Sequence, residues 1–391
     1  MPIINRIADF YNDMKEWRQD LHSDPELKFE CYRTAAFLVE RLKEFGITEI
    51  HQGIAKTGIV AIIEGKEKGK TIGLRADMDA LPLQEVQNHS YKSKNNGIMH
   101  ACGHDGHMTM LLGAAEKLSQ SKDFDGTIVF LFQPNEEHGL GALAMIDEGV
   151  LQQFPIEEVF AIHNLPGAPA GQISTRVGQI CASESLFEIV IHGKGGHASM
   201  PHFGVDTIIV GAEIVLALQT IIARKMPPTS NAVVSVTEFI TDGQRNVLPG
   251  HAVLKGDARA SSPDDRKALE QFLRQIVNGV AAAHAVQVEV EFVTEFIEAF
   301  NAPGPTEAVI RVADSIGLNT VGDRSPMSFS EDFAHFSAAV PGCFLLLGNG
   351  ETGACGQPLH ATDYDFNDDI LSVGTDFWVA LVKDRLPLKP D

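Results

Sequence analysis

TIVFLFQPNEEH, residues Thr127–His138, is the stretch whose reading decides the fold. Its first half, Thr127–Phe132, is a short and nearly continuous apolar run without the alternation of a half-exposed strand. Such a run predicts a strand covered on both faces, as in sheets that carry helices on either side. Its second half, Gln133–His138, places two adjacent carboxylates, Glu136 and Glu137, directly beyond the strand's carboxyl end. In open α/β sheets that is where sites form. Working outward, Gly58–Ile63 and Thr71–Ala76 read as strands before this one, and Val159–Ile162 and Cys343–Leu347 as strands after it. Helical spacing marks Ile7–Leu21, Cys31–Phe45 with Gly46 as its stop, and Met108–Leu118. Strands alternating with helices predict a layered α/β domain.

A second pattern lies inside the first. Ser185–Ile191 alternates as a strand, and Thr207–Ile222 reads as a helix. Strands Ala232–Ile240 and Ala252–Ala258, helix Arg266–Ala283 and strand Val286–Val293 follow. Strand, helix, strand, strand, helix, strand is the ferredoxin-like βαββαβ order. The expected division is a catalytic metal-binding domain of residues 1–181 and 299–391, with an inserted lid and dimerisation domain of residues 182–298. Pairing with a second copy would cover the insert's own strand edges, so a homodimer is expected.

The length of 391 residues suits two domains. A hydrophobic content of 44% with 21% charged residues is that of a globular chain, which excludes disordered and coiled-coil classes. The net charge of -21 and the pI near 5.1 argue against nucleic acid and anionic membranes as partners, since phosphate binding needs a Lys/Arg patch. Lys66–Lys70, the longest basic run, is broken by Glu67 and Gly69. No run approaches the roughly 20 apolar residues of a membrane span. The five cysteines show no disulfide framework, and Met1–Phe10 lacks a signal peptide's apolar stretch. Reduced thiols in a cytoplasmic protein are the expectation.

The chemistry concentrates in a few places. His100, Cys102, His104, Asp105 and His107 fall within eight residues, just before the helix expected from Met108. Gly103 and Gly106 are read as letting the backbone turn sharply, so that these side chains converge. Thiolate, imidazole and carboxylate are the ligands of zinc and its divalent neighbours. Glu136 and Glu137 suit a division of labour, one binding metal and one moving protons. Taken singly, adjacent glutamates are as often a solvated loop, and a lone strand-end histidine such as His163 is more often structural than a ligand. His360 lies in a loop after strand Cys343–Leu347. Asp77 and Asp79, after strand Thr71–Ala76, are candidates for ligands or for carboxylates that orient a ligand histidine. A cysteine hydrolase with Cys102 as nucleophile and His104 or His107 as base is a reading from another class; a metal-binding module without activity is a third.

The stretches RADMDALP, MHACGHDGHMTMLLGAA, LFQPNEEHGLGA, HNLP, GKGGHASMPH, RNVLPG, SEDF and LHATDYDFND run in order from Arg75 to Asp368. On these the chain resembles the M20 metallopeptidases, and within them the amidohydrolases that include hippurate hydrolases, aminoacylases and auxin-conjugate hydrolases. The resemblance implies two divalent metal ions, manganese, zinc, cobalt or nickel, with Cys102 bridging them and His104, Glu137, His163 and His360 as further ligands. It implies Glu136 as general base and Asp79 as a supporting carboxylate. It implies His197 as a histidine that reaches the partner subunit's site and steadies the oxyanion, and Asn246 as a substrate contact. The implied reaction is hydrolysis of an N-acyl amino acid to a carboxylic acid and a free amino acid, with a diamino-acid deacetylase or dipeptidase as alternatives. Arg259, at the end of strand Ala252–Ala258, is the candidate for the substrate's carboxylate, with surface pairing to Asp257 or Asp264 as the competing role. Two departures flank the catalytic pair: Asn135 stands where the family usually has a small residue, and His138 where it has glycine.

Overall fold

The computed structural model describes residues 3–389, which form two compact units. The first comprises the chain up to Ile180, Ala299–Ser325 and the segment from Glu331 onward. The second comprises Cys181–Glu298 together with Pro326–Ser330. That short return was expected in the catalytic part. It joins the second unit because Met327 bridges to Cys181 and the Ala182 N–H donates to the Phe329 carbonyl.

In the first unit the helices α1 (Ile3–Ser23), α2 (Tyr32–Glu44) and α3 (His104–Ser121) accompany the strands β1 (Glu49–Ile54), β2 (Gly58–Glu64), β3 (Thr71–Asp77), β4 (Thr127–Gln133) and β5 (Glu158–Pro166). The sheet runs β1-β2-β4-β3-β5, then Gly342–Gly350, Ile173–Ser174 and Thr320–Val321. β4, β3, β5 and Gly342–Gly350 are mutually parallel, while β1 and β2 are antiparallel additions at one edge. The parallel strands are buried almost end to end. In β4, Ile128, Phe130 and Phe132 join the core that α3 builds with Met108, Leu111, Leu112 and Ala115. Val129 and Leu131 between them are buried on the opposite face. This is why the run reads as continuous rather than alternating.

From β3 the chain passes through α3 to β4 on one side, and from β4 it returns to β5 on the other. The connections therefore diverge at β3, a topological switch point, where α/β sheets open a crevice beyond their carboxyl ends. Asp77 is the last residue of β3 and pairs in register with Gln133, the last of β4.

The second unit is a four-stranded antiparallel sheet in the order Ala232–Thr241, His251–Ala260, Glu184–His192, Gln287–Phe296. Helices Thr207–Leu218 and Pro263–His284 bury one face, with Val210, Ile214, Leu269, Leu273 and Val277 packing on Phe187, Ile189, Ile191 and Leu254. The strict buried–half-buried alternation of His251–Ala260 records that one-sided cover. Asp206 caps the first helix by accepting the Ile208 N–H at 2.9 Å. That helix ends at Leu218 rather than Ile222, and a wider π turn, Ile221–Lys225, follows it.

Candidate metal centre

Five chain segments of the first unit converge at the carboxyl ends of the parallel strands. They are the exit from β3, the start of α3, the turn after β4, the last residues of β5 and the loop that carries His360. α3 starts at His104, four residues earlier than its apolar spacing suggests, so the histidine cluster straddles a helix start instead of preceding it. Gly103 caps that start at φ +94, and a Cβ there would lie 2.2 Å from Asn164 Oδ1. Gly106 does not turn the chain. It lies inside α3, where a Cβ would meet the Phe366 ring at 2.2 Å, so its role is close packing. After β4, Asn135 adopts φ +58 and opens the 3-10 turn Glu136–His138. Asparagine tolerates that left-handed backbone better than most residues, which accounts for its presence there.

Cys102, His104 and His163 form one group of donor atoms all within 4.8 Å of one another. Cys102, Glu137 and His360 form a second, and His104, Glu136 and Glu137 a third. The structure thus brings together all five residues expected as ligands, with Glu136 beside them. His163 lies inside β5, in register with Leu346, rather than past its end. Its Nδ1 donates to the Asn164 carbonyl at 2.7 Å, which leaves Nε2 3.4 Å from Cys102 Sγ. His104 Nδ1 donates to the Asp79 main-chain carbonyl at 2.7 Å, so its Nε2 carries the lone pair. That Nε2 is buried without a hydrogen-bond partner, as is Glu137 Oε1, and the two are 3.8 Å apart. His360 sits at φ +64, and its Nε2 is 3.3 Å from Glu137 Oε2.

Asp79 supports the cluster through its main chain as well as its carboxylate. Its carboxylate does not orient His104; that task falls to its carbonyl. Asp79 Oδ1 accepts the Glu136 N–H at 2.9 Å and Oδ2 the Glu137 N–H at 3.2 Å, so the side chain fixes the catalytic turn. The carboxylate–histidine pair is instead Asp77 with His107, at 2.7 Å, and the Asn164 N–H donates to the far nitrogen of His107 at 3.0 Å. His100 stands apart from the cluster and lies beside His22, with ring centroids 6.3 Å apart.

The surroundings are strongly anionic. Arg75, fully buried in β3, contacts Asp77 at 2.7 Å, Glu331 at 3.0 Å and Asp332 at 2.8 Å. Gln133 Nε2 also donates to Asp332. Burial, then neighbouring carboxylates, pushes Glu136 and Glu137 well above the ordinary glutamate range. Burial raises Asp79 to about 8 and Asp332 to about 7. Arg75 thus meets three carboxylates, Asp77, Glu331 and Asp332, with Glu136 within its field. Uncompensated buried carboxylates are costly, and cations seated among them remove the cost. Partnerless lone pairs converging within this anionic pocket, with sulfur, imidazole and carboxylate as donors, fit divalent metal ions. Cys102 fits a ligand better than a nucleophile: burial, then Glu137 and Glu136, raises its thiol well above the usual range, the reverse of an activated thiol.

A family model described as Peptidase family M20/M25/M40 matches residues 73–384. The chain belongs to that family. Among relatives of this M20 protein, thermostable carboxypeptidase 2 of Saccharolobus solfataricus is 35% identical over 384 residues, covering 96% of each chain. Hippurate hydrolase of Campylobacter jejuni is 35% identical over 383 residues, covering 97% of this chain and 98% of the relative. A Bacillus subtilis crystal structure, described as a dinuclear metal binding peptidase from the M20 family, superposes with a TM-score of 0.84 at 32% identity, covering 97% and 99% of the two chains.

The other residues expected from the sequence, His197, Asn246 and Arg259, belong to the second unit. His197 is exposed, and its strand partner is Val247, so Asn246 and His197 are neighbours; the Ala198 N–H donates to the Asn246 carbonyl at 3.1 Å. The His197 Nδ1 accepts the Ser199 N–H at 3.1 Å, which places the proton of the neutral ring on Nε2. Arg259 lies within the strand His251–Ala260 and is already paired. Its Nε contacts Asp257 at 3.0 Å, Nη1 contacts Ser330 at 3.0 Å and Nη2 contacts Glu184 at 2.6 Å. The competing surface role expected for it, pairing with Asp257, is realised.

Sequence reasoning gave no role to Arg75, Gln133, Asn164 and Asp332, and took His107 only as a member of the donor cluster and a candidate base for Cys102. A signal for one of them was present: a charged residue such as Arg75 inside an otherwise apolar strand must be buried with partners.

Proposed function

We propose that this protein is a two-metal hydrolase that removes the acyl group from N-acyl amino acids, releasing a carboxylic acid and a free amino acid. The observation that carries the reading is the meeting of buried Cys102, His104 and His163 with Glu137 and the exposed His360 beside Glu136, with His104 Nε2 and Glu137 Oε1 lacking partners. Two divalent ions, drawn from manganese, zinc, cobalt and nickel, would supply Lewis acidity to the scissile carbonyl and to the attacking water.

The protein's own part follows from its geometry. Glu136 has its carboxyl raised by burial and by Glu331, Glu137 and Asp332, a direction that makes it a stronger proton acceptor than an ordinary glutamate. It accepts the proton of the attacking water and passes it to the departing nitrogen. Asp79 holds the turn from which Glu136 projects, and Asp77, through His107, steadies the helix start that carries His104. His197, whose Nδ1 accepts the Ser199 N–H, presents an Nε2–H suited to a developing oxyanion.

The relatives named as a carboxypeptidase and as hippurate hydrolase act, by their names, on an amide next to a free carboxylate, and that shared end is our proposed constant for this chain. Asn246 and Arg259 are proposed as its contacts. Arg259 spends one N–H each from Nε, Nη1 and Nη2 on protein partners, which leaves one on each terminal nitrogen for a ligand.

We further read residues 1–181 and 299–391 as the catalytic domain and residues 182–298 as an inserted ferredoxin-like lid and dimerisation domain. Exposed Ile208, Ile209 and Leu216 on its first helix support a protein-covered face. In the homodimer His197 would serve the partner's site. Among the described residues no helix is long and apolar enough to cross a membrane. The five cysteines are free, which agrees with a cytoplasmic setting. A panel of N-acetyl, N-benzoyl and indole-acetyl amino acids, each assayed beside its α-carboxamide, tests the substrate class. Turnover of the acids well above the carboxamides supports it, and no turnover of any acid removes it.

A further inference from the structure

Outside the proposed catalytic cluster, the first unit buries a second set of donor groups. His22, in the last turn of α1, points Nδ1 at Asp105 Oδ2, 2.8 Å away, and Nε2 at Glu85 Oε1, 3.3 Å away. His89 Nε2 lies 2.8 Å from the same Glu85 oxygen, yet neither nitrogen of His89 makes a hydrogen bond. The donor atoms of His22, Glu85 and His89 all fall within 4.8 Å of one another. His22 and Glu85 are fully buried, and His89 keeps 18% of its side chain exposed. Beside them His100 is buried with both ring nitrogens unpartnered.

Three physical features point the same way. Two imidazole nitrogens and one carboxylate oxygen are a zinc-type donor set, to which a water would add the fourth ligand. A tetrahedral ion with bonds of about 2.0–2.1 Å separates its ligands by roughly 3.3 Å; the His22–Glu85 separation of 3.3 Å matches that value, and the His89–Glu85 separation of 2.8 Å would have to widen by a rotation of the partly exposed His89 ring. The supports are those of a ligand set. Asp105 receives the far N–H of His22, and the Ser93 N–H holds the other Glu85 oxygen at 2.7 Å. The charge balance also calls for a cation. Arg18 is matched by Asp105, Asp365 and Asp368, which leaves the Glu85 carboxylate without a fixed positive partner.

We propose that His22, Glu85 and His89 bind a further divalent cation of the zinc class, separate from the catalytic pair. It would clamp α1 to the irregular segment that carries Glu85 and His89. That segment is bonded onward to the loop of His360: the Val86 N–H donates to the Thr362 carbonyl at 2.9 Å, and Gln87 Nε2 to the Asp363 carbonyl at 2.7 Å. The ion is therefore a positioning element for that loop, and His89, at the surface, is its way in. The competing occupant is a proton, which would make His22 an imidazolium shared by Asp105 and Glu85.

The test compares zinc content per chain in the full-length protein and in His89→Leu, both equilibrated with zinc chloride and then dialysed. A loss of one zinc per chain in His89→Leu is expected, whatever total the catalytic cluster holds. Glu85→Gln should lose the same ion. Equal zinc in wild type and His89→Leu would overturn the site, since surface binding is all that would remain. Wild-type crystals grown with zinc and measured at the zinc edge decide the matter even if a variant fails to fold. An anomalous peak bounded by His22, Glu85 and His89 supports the proposal, and no peak there in the presence of zinc overturns it.

Discussion

Glu136 and Glu137 are chemically identical neighbours for which we propose different tasks, on the ground of what each carboxyl faces. Glu137 sits between His104 Nε2 at 3.8 Å and His360 Nε2 at 3.3 Å, in the position of a ligand. Glu136 reaches the Asp332 N–H at 3.4 Å and lies 4.0 Å from His104, at the edge of the ligand group. Glu136→Gln should therefore keep its metal while turnover falls by about 10²–10⁴-fold, the usual range for a general base. Glu137→Gln should lose metal as well as turnover, read by elemental analysis beside the assay. Unchanged turnover in Glu136→Gln would remove it as the base. Arg259 is tested in the same way. If it holds the substrate's carboxylate, Arg259→Ala should depress hydrolysis of N-acyl amino acids far more than of their carboxamides. Equal losses would leave it as the partner of Glu184 and Asp257 alone. At this scale Cys102 and His104 stood out in the sequence because thiol and imidazole cluster there, whereas Glu137, His163 and His360 were each ambiguous alone and entered as ligands through the resemblance. The duty of Asp79 was not legible, because a carboxylate two residues past a strand can equally serve a histidine ring or the N–H groups of a turn.

At the scale of elements, strands were read from apolar runs and helices from spacing, and both fixed the middle of each element better than its ends. α3 extends back to His104 because His104, Asp105, Gly106 and His107 are all buried, in a turn whose polar residues carry no apolar signal. Gly106 shows what holds that turn in place. Gly106→Ala would drive a methyl into the Phe366 ring and should cost about 1–3 kcal/mol, as overpacking does. Thermal unfolding measures it, and an unchanged Tm would contradict the packing. β5, which carries His163, is anchored at its start by Glu158, bound by Arg385 at 2.8 and 2.6 Å and by Lys70. Burial works against its charge, but Arg385 and Lys70 outweigh it and hold the carboxyl below the ordinary glutamate value near 4.3. A lowered folded-state value contributes stability above the unfolded value and loses it as pH falls through the folded one. Glu158→Gln should thus lower the Tm at pH 7, with the gap to wild type closing as pH falls below about 4. A gap that persists or widens in acid would contradict the pairing.

At the scale of the whole molecule, two patterns were readable along the chain because each unit's periodicity is its own, but the helices Pro303–Ser315, Phe333–Ala339 and Leu371–Arg385 were not assigned. The return of Pro326–Ser330 to the second unit was not readable either, since five residues with no periodic pattern carry no sign of the unit they join. The homodimer is tested by mixing two variants, Glu136→Gln and His197→Ala. If His197 serves the partner's site, a mixed dimer regains one intact site and part of the activity. Confirmed mixed dimers without recovery would return His197 to its own chain or to a structural role.

The central claim is that the buried cluster works only with divalent ions. The direct measurement is hydrolysis of an N-acyl amino acid by protein stripped of metal, followed by stepwise return of zinc or manganese. The account predicts loss of turnover on stripping and its recovery as metal returns. Recovery should be weaker at low pH, where protons compete for the Cys102 and histidine donors. Full turnover in protein shown by elemental analysis to be free of metal would contradict it.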